Sequence, residues 1–583
     1  MFISFDVTAV PPWVKYVVLF SSGSALLLYL EKAYRRYTVR QIIKRRQEKA
    51  KDAMRRLRAH VNKQQEQVDE KLSADILNMT AVELQNALQS GKLKAVEVLL
   101  AYQAKAVQEN DKLNFITEPI ADALELAESL DTQKENKKLL HGMPISVKEN
   151  YFIKDEDSTV GVASLIGQPA PYDAVLVQVL KDQGAVPFVR TNVPQTMLSF
   201  DCSNPIYGKT LNPHDHTRTP GGSSGGEGAI LASGASILGL GSDIAGSIRI
   251  PSHFSGVTGL KPTYGRLSTK GMRSLTKPQN IVQGTGGPMA RDVDGVVLLM
   301  RAMLTPHHFK LDPSIPPIPF KEKEFTDTRR LRIGYYTSHG YLDPVPACRR
   351  AVLITKELLE RQGHTVVAFD PPRIPYAISK LYMKVLSGDG GKTIRGYMKD
   401  DVVDPSIKMM MFSNGRSVPV RHFLASLTGF LSKDPMQGQM IRSMIGCRSV
   451  NEWWGLNTQV GQYREEFYDA WTRQKLDIVI CPAFGFVAPP YDHFDQTFGG
   501  GINQPIYNLL NYPAGSLPVT SVSAADIEDM KKYPQHTLFE KTIKKISEGS
   551  EGLPVGVQVV GQQWQEELVL RVMKEIEQSN TSK

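Results

Sequence analysis

The chain has 583 residues, 41% hydrophobic and 22% charged, which is room for one large domain or two or three ordinary ones and too apolar for global disorder. Its four cysteines, Cys202, Cys348, Cys447 and Cys481, form no CxxC pair or Cys/His set. That excludes a disulfide scaffold and a zinc ribbon, and it fits a reducing compartment. The net charge of +9 is local: residues 32–58 hold twelve Lys/Arg against Glu48 and Asp52, residues 1–31 sum to −1, and the remaining 525 residues sum to zero. A nucleic-acid-binding body is disfavoured.

Residues 1–31 predict a membrane anchor. After Pro11 and Pro12 comes Trp13, then Lys15, then an uncharged run from Tyr16 to Leu30. Fifteen helical residues span about 22 Å, short of a hydrocarbon core of about 30 Å. With Trp13 at the interface and Lys15 snorkelling, the span reaches a bare sufficiency. Asp6 precedes the run, and Glu31, Lys32, Tyr34, Arg35 and Arg36 follow it, a stop-transfer flank rather than a signal-peptide cleavage site. The positive-inside bias then puts everything after Leu30 on the cytosolic side of a single pass; the membrane expected is the endoplasmic reticulum or another endomembrane, which the charge bias does not itself select. A basic juxtamembrane helix over 32–75 follows, without Gly or Pro from Arg35 to Lys71. It reads either as a helix lying along an anionic leaflet or as a solvated spacer.

From residue 76 to 583 the pattern is one catalytic domain. Thr80 and Glu83 have the spacing of a helix capping box. Strands are expected at 142–148, 185–189, 331–336, 366–369 and 477–480, alternating with helical stretches, and loops at 131–138, 305–319 and 370–375. The class is α/β.

Glycine and serine concentrate in Thr219-Pro220-Gly221-Gly222-Ser223-Ser224-Gly225-Gly226-Glu227-Gly228 and in Leu240-Gly241-Ser242-Asp243-Ile244-Ala245-Gly246-Ser247-Ile248-Arg249. No lysine follows these glycines as a phosphate-binding loop requires. Gly221-Gly222-Ser223-Ser224-Gly225 satisfies Gly-x-Ser-x-Gly, but the segment before it, residues 212–220, is polar and proline-broken where a nucleophile elbow needs a buried strand. The histidines, His214-x-His216, His307-His308 and His253, lack partners at ligand spacing, so no metal and no cofactor are expected. Read alone, Lys148 is a surface lysine, and Ser223 and Ser247 are turn serines.

Taken together with Gly142-Met143-Pro144-Ile145-Ser146-Val147-Lys148-Glu149 and Gly259-Leu260-Lys261-Pro262-Thr263, these blocks resemble the amidase signature family over about residues 76–577. The resemblance implies a single large domain with a central twisted mixed β-sheet surrounded by helices. It also implies a Ser-Ser-Lys triad: Ser247 as acyl-forming nucleophile, Ser223 as bridge and Lys148 as base. The chemistry is coherent. A serine hydroxyl needs a base, and at a pKa near 10.4 only about one lysine in 2,500 is neutral at pH 7, a deficit of roughly 4–5 kcal/mol that burial without a carboxylate reduces. The N–H groups of Ile244, Ala245, Gly246 and Ser247 are the implied oxyanion hole. Asp243 and Arg249 read as supports of that loop. Ala245 stands where the family commonly has glycine, and it is strained there if the position needs positive φ.

Within the family the sequence is most similar to the membrane-anchored fatty acid amide hydrolases, on the anchor, Thr191-Asn192-Val193-Pro194-Gln195-Thr196-Met197, Asp201-Cys202-Ser203-Asn204-Pro205 and Trp564-Gln565-Glu566-Glu567-Leu568. That implies hydrolysis of long-chain fatty acid amides, N-acylethanolamines and primary amides, to fatty acid and amine. It further implies a homodimer, a lipid amide and a membrane as partners, and Met197 lining the substrate site. Residues 421–433 are the candidate for a membrane-dipping cap, with Phe423, Leu424, Leu427, Phe430 and Leu431 at helical spacing between Arg421 and Lys433. Three alternatives stay open: an amidase of the same fold acting on short-chain or aryl amides, the amidase subunit of a tRNA-dependent amidotransferase, and a silent lipid-binding protein.

Overall fold

The computed structural model describes residues 12–65, 69–133, 135–276, 279–501 and 503–581. Eleven strands make one sheet: β1 (Ile116–Pro119), β2 (Pro144–Lys148), β3 (Val186–Thr191), β4 (Leu238–Asp243), β5 (Thr258–Lys261), β6 (Thr285–Ala290), β7 (Arg332–Tyr335), β8 (Thr365–Ala368), β9 (Ile478–Pro482), β10 (Ala514–Ser521) and β11 (Pro554–Val560). Their spatial order is β1-β3-β2-β4-β6-β5-β10-β11-β9-β7-β8. The sheet is mixed. β2 runs parallel to both β3 and β4, while β6 runs antiparallel to β4 and β5. All five expected strands form, within a residue or two of their expected ends. β2, β3 and β4 are buried along their whole length, as central strands covered on both faces must be.

Because β2, β3 and β4 are mutually parallel, their carboxyl ends lie together, and those ends are Lys148, Thr191 and Asp243. Open α/β sheets present their ligand crevices at this edge.

The amino-terminal region is a continuous helix, α1 (Pro12–Gln65), with no break at residue 31. Residues 1–11 of the expected anchor, Asp6 and Pro11 among them, lie outside the described residues. Among the described residues no helix is long and apolar enough to cross a membrane; the uncharged run of α1 is interrupted by Ser21, Ser22, Gly23 and Ser24. A second helix, Glu70–Asn78, continues across residue 75. Neither expectation for the basic helix describes its inner face, which docks on the body. Val39 and Ile43 pack with Ala163 and Ile206, and Leu57 and Val61 with Val107. Between these contacts Arg46, 4% exposed, pairs with Glu118 at 2.6 Å and Asp157 at 3.1 Å. The other eleven basic residues of 32–58 are exposed.

The capping box at Thr80 and Glu83 is present. The proline-rich stretch 305–319 is not loop throughout: Pro306–Leu311 is helical, since Thr305 caps His308 N and proline suits the first helical position. Likewise Ile374–Tyr376 starts a helix inside the stretch expected as loop at 370–375. Three further helices frame the site: α2 (Gly225–Ala232), α3 (Arg249–Ser255) and α4 (Val418–Leu431).

Removing Arg46 would leave two buried carboxylates short of a partner, a loss typically worth about 3–5 kcal/mol. Arg46→Met is therefore expected to lower the unfolding free energy by about 3 kcal/mol, read by denaturant titration, with Arg46→Lys losing less.

Candidate active site

Lys148 closes β2 fully buried. Its Nζ donates to Ser223 Oγ at 2.8 Å, to Ser242 Oγ at 3.0 Å and to Ser242 O at 3.2 Å. No carboxylate lies within 4.0 Å of it among the described residues. Burial pulls the amine down to about 7, outweighing the opposing pull of the more distant Asp243, Cys202 and Glu227. Ser223 stands in the turn before α2, after a cis peptide at Gly222–Ser223. Ser224 ties that turn to the second serine loop, its N–H reaching Ser247 O at 3.0 Å. Ser223 and Ser247 line the same small cavity of about 40 Å³, together with Asn150, Ser242 and Arg273.

The loop after β4 is propped from behind. Asp243 accepts from Gly246 N at 2.8 Å and Ile248 N at 3.0 Å, and it pairs with the Arg249 guanidinium at 2.9 Å. Arg249 in turn donates to Gln504 O, Gln558 Oε1 and Asn508 Oδ1. Burial alone would raise the Asp243 carboxyl, but Arg249 and the loop N–H groups hold it well below the usual range. One member of the expected oxyanion hole is thereby committed, because the Gly246 N–H already serves Asp243. The N–H groups of Ile244, Ala245 and Ser247 have no partner among the described residues. The expected strain at Ala245 does not arise: Ala245 is outside the positive-φ set, and the left-handed turn falls on Gly246 at φ 108°. A side chain at Gly246 would collide with Gln504. Ala245 instead lends its methyl group to an apolar cavity.

That second cavity holds about 290 Å³ and meets the first at Met197, Ile244 and Ser247. Met197 and Thr196 both have positive φ, 61° and 65°, a strained pair of the kind that clusters at functional sites. The cavity runs past Phe200, Ile378 and Tyr382 to Phe412, Leu424 and Thr428. Leu424 and Thr428 belong to α4, which turns Phe423 (65%) and Phe430 (80%) away from them into the open and ends on the exposed Leu431 (66%). The apolar stripe of residues 421–433 is thus not core. Arg421, expected as a flanking surface charge, turns inward and is buried against Gly390 O, Asn414 and Met444 O; Lys433 stays exposed.

His253 bridges chain segments, Nε2 to Phe486 O and Nδ1 from Gly556 N. Several residues around the site carried no separate signal in the sequence. Ser242, Glu227 and Thr196 lie inside the quoted blocks but have no distinguishing pattern. Gln504, Asn508 and Gln558 come from segments some 260–310 residues away from Arg249, and no local spacing announces them.

Comparison with known proteins places the chain in a family. A family model described as Amidase matches residues 97–570. Among curated proteins, the chain is 41% identical over 514 residues to fatty-acid amide hydrolase 1 of Sus scrofa, covering 86% of each chain. It is 37% identical to fatty acid amide hydrolase 1 of Caenorhabditis elegans, covering 86% and 88%. It is 43% identical to the vitamin D3 hydroxylase-associated protein of Gallus gallus over 67% of this chain and 83% of that one. A solved fatty acid amide hydrolase superposes with a TM-score of 0.78 at 26% identity, covering 92% and 94%. A buried lysine on paired serine loops, within a sheet of this order and over this extent of likeness, leads to one assignment: the chain belongs to the amidase family and is an amide-hydrolysing enzyme similar to the fatty acid amide hydrolases.

Proposed function

We propose that the protein hydrolyses long-chain fatty acid amides through Ser247, Ser223 and Lys148. The observation that carries the reading is a buried lysine 2.8 Å from Ser223 with no carboxylate within 4.0 Å among the described residues. A neutral amine has two N–H donors and one lone pair. Ser242 O and Ser242 Oγ take the two donors, so the Ser223 hydroxyl is left to give its proton to the lone pair. Its own oxygen then accepts from Ser247, and the proton of the nucleophile passes through Ser223 to Lys148. Attack of Ser247 on the amide carbonyl forms a tetrahedral oxyanion facing the N–H groups of Ile244, Ala245 and Ser247. Collapse expels the amine with the proton returned by Lys148 through Ser223. Water, deprotonated along the same route, cleaves the acyl-enzyme to fatty acid.

The substrate class follows from the cavities. The 40 Å³ cavity beside Ser223 is bordered by Asn150, Ser242 and Arg273 and suits a small polar amine portion. The 290 Å³ cavity is lined chiefly by Phe, Ile, Leu and Met and suits an acyl chain. Each buried CH₂ contributes about 0.8 kcal/mol, which favours long chains over acetamide-sized ones. The far wall of that cavity is α4, which also carries the exposed Phe423, Phe430 and Leu431, so the acyl cavity lies one helix away from an apolar surface suited to a bilayer. The reading includes the amino-terminal anchor, the cytosol-facing domain on an endomembrane and the homodimer that the resemblance implies. The exposed basic face of α1 suits an anionic leaflet.

Intact mass after treatment with a lipid-like fluorophosphonate is expected to show one adduct, lost in Ser247→Ala. Wild type alone should release fatty acid from a long-chain N-acylethanolamine. Labelling without turnover of that lipid would retain the nucleophile and overturn the substrate.

The pH dependence has a definite sign. The Lys148 amine is depressed from 10.5 to about 7, so it is protonated and inactive below that pH and neutral above it. kcat/KM should rise through half its plateau near pH 7 and then level off rather than climb to pH 10. Lys148→Met should remove that limb along with most of the activity.

Replacing Phe430 and Leu431 by serine should weaken sedimentation with lipid vesicles by about tenfold, at about 1.4 kcal/mol per decade, while turnover of a short soluble ester persists.

A further inference from the structure

Among the buried acids that the mechanism does not use, one lies beside the lysine. Glu227, on the first turn of α2, is fully buried. Its carboxyl lies between two hydroxyls at hydrogen-bond distance, Ser146 Oγ at 2.6 Å from Oε2 and Thr191 Oγ1 at 2.6 Å from Oε1. Both belong to the lysine's own neighbourhood. Ser146 is two residues before Lys148 on β2 and so shares its face; Thr191 is the residue paired with Lys148 across β2 and β3. On β4, Gly239 leaves the space that the carboxyl occupies, since a side chain there would overlap Glu227 Oε2. Glu227 is therefore seated against three strands and tethers the helix that follows Ser223 to the strand that ends in Lys148.

No lysine, arginine or histidine nitrogen lies within 4.0 Å of this carboxyl among the described residues. A fully buried carboxylate without a cation is a costly state, and such a group takes up a proton instead. The local geometry accommodates that proton. Ser146 has one O–H but two acceptors in reach, Glu227 Oε2 and, at 3.3 Å, Leu238 O. If Glu227 donates from Oε2 to Ser146 Oγ, the Ser146 hydroxyl turns to Leu238 O, and every group is satisfied.

We infer that Glu227 is a neutral carboxylic acid in the working enzyme, a positioning residue that clamps the Lys148 strand to the Ser223 helix without placing a negative charge beside the lysine. The inference rests on Lys148 as the base. An ionised Glu227 would stabilise the ammonium, the wrong form for proton abstraction. Burial pushes the Glu227 carboxyl well above the usual carboxylate range, against the hydroxyl bonds that lower it. The other groups facing the pair are already quiet. Asp243 is engaged by Arg249, the Cys202 thiol is pushed up to about 12 by burial, and the Tyr151 phenol, also pushed up, donates to Gly241 O.

The test is an infrared difference spectrum of wild type against Glu227→Gln at pH 7, with kcat and KM against pH for both. Wild type should show the carbonyl stretch of a protonated carboxylic acid, absent from Glu227→Gln. That variant keeps a donor and an acceptor in place. It should lose about threefold in kcat, with KM and the acid limb unmoved. Glu227→Ala breaks the clamp and should lose about thirtyfold or more in kcat at constant KM. If Glu227→Ala does not fold, Ser146→Ala carries the same test with about a tenfold loss. Absence of the acid band from wild type overturns the inference, as does an acid limb shifted down by about one pH unit or more in Glu227→Gln, because removal of an anion lowers the lysine further. Losses that fall on kcat and KM together, in step with lost melting temperature, overturn the positioning role. Failure of the base assignment reads differently: Lys148→Met would keep its activity while the infrared band of Glu227 stayed.

Discussion

Everything at this site depends on one desolvated amine. Lys148 is the last residue of a strand buried on both faces, and the groups that touch it are hydroxyls and a carbonyl. The side chain is fully buried and no carboxylate is in contact among the described residues, so the charged form loses its solvation without gaining an ion pair. A lysine near 10.4 costs roughly 4–5 kcal/mol to neutralise at pH 7; a lysine brought to about 7 is half neutral there. The surrounding fold can be understood as the set of constraints that keep this end of β2 dry, fixed and uncharged.

The constraints come in opposite electrostatic styles. Behind the loop that follows β4, Asp243 and Arg249 form a fully buried ion pair whose spare hydrogen-bonding capacity is filled by loop N–H groups and by Gln504, Asn508 and Gln558. A buried pair satisfied on all sides is rigid, and rigidity is what an array of N–H groups aimed at a developing oxyanion requires. On the lysine side the supports are hydroxyls. The charge of Asp243 is consumed by Arg249, which is why an aspartate at the end of the neighbouring strand does not pin Lys148 in its ammonium form.

Farther out, apolar surface takes over. The larger cavity begins at Ser247 and ends against α4, so a single helix separates the binding space from an exposed patch of Phe and Leu. At the opposite end of the chain, α1 uses one face for the body, with Arg46 sealed between Glu118 and Asp157, and leaves its other basic residues in solvent. A helix with a docked face and a charged free face has a set orientation relative to the body, which a flexible linker would not provide.

The sequence by itself determined the α/β class and five of the strands, β2, β3, β7, β8 and β9, because these rest on local pattern, apolar runs bounded by turns; the family and the candidate residues Lys148, Ser223 and Ser247 came from the resemblance that the glycine-serine blocks carry at their joint spacing. It located the apolar stripe of residues 421–433 but not which way it faces, since a 3.6-residue period is the same for a core helix and an exposed one. Four matters were decided only by the tertiary structure. Arg421 turns inward, Arg46 is buried, the positive φ falls on Gly246 rather than Ala245, and the Gly246 N–H is spent on Asp243. Each depends on the folded arrangement around the residue: Asn414 and Met444 beside Arg421, Glu118 and Asp157 beside Arg46, and the Asp243–Arg249 pair with Gln504 behind the loop. Burial and charge pairing are properties of neighbours in space, and no periodicity or local spacing reports which segment the fold brings beside a residue.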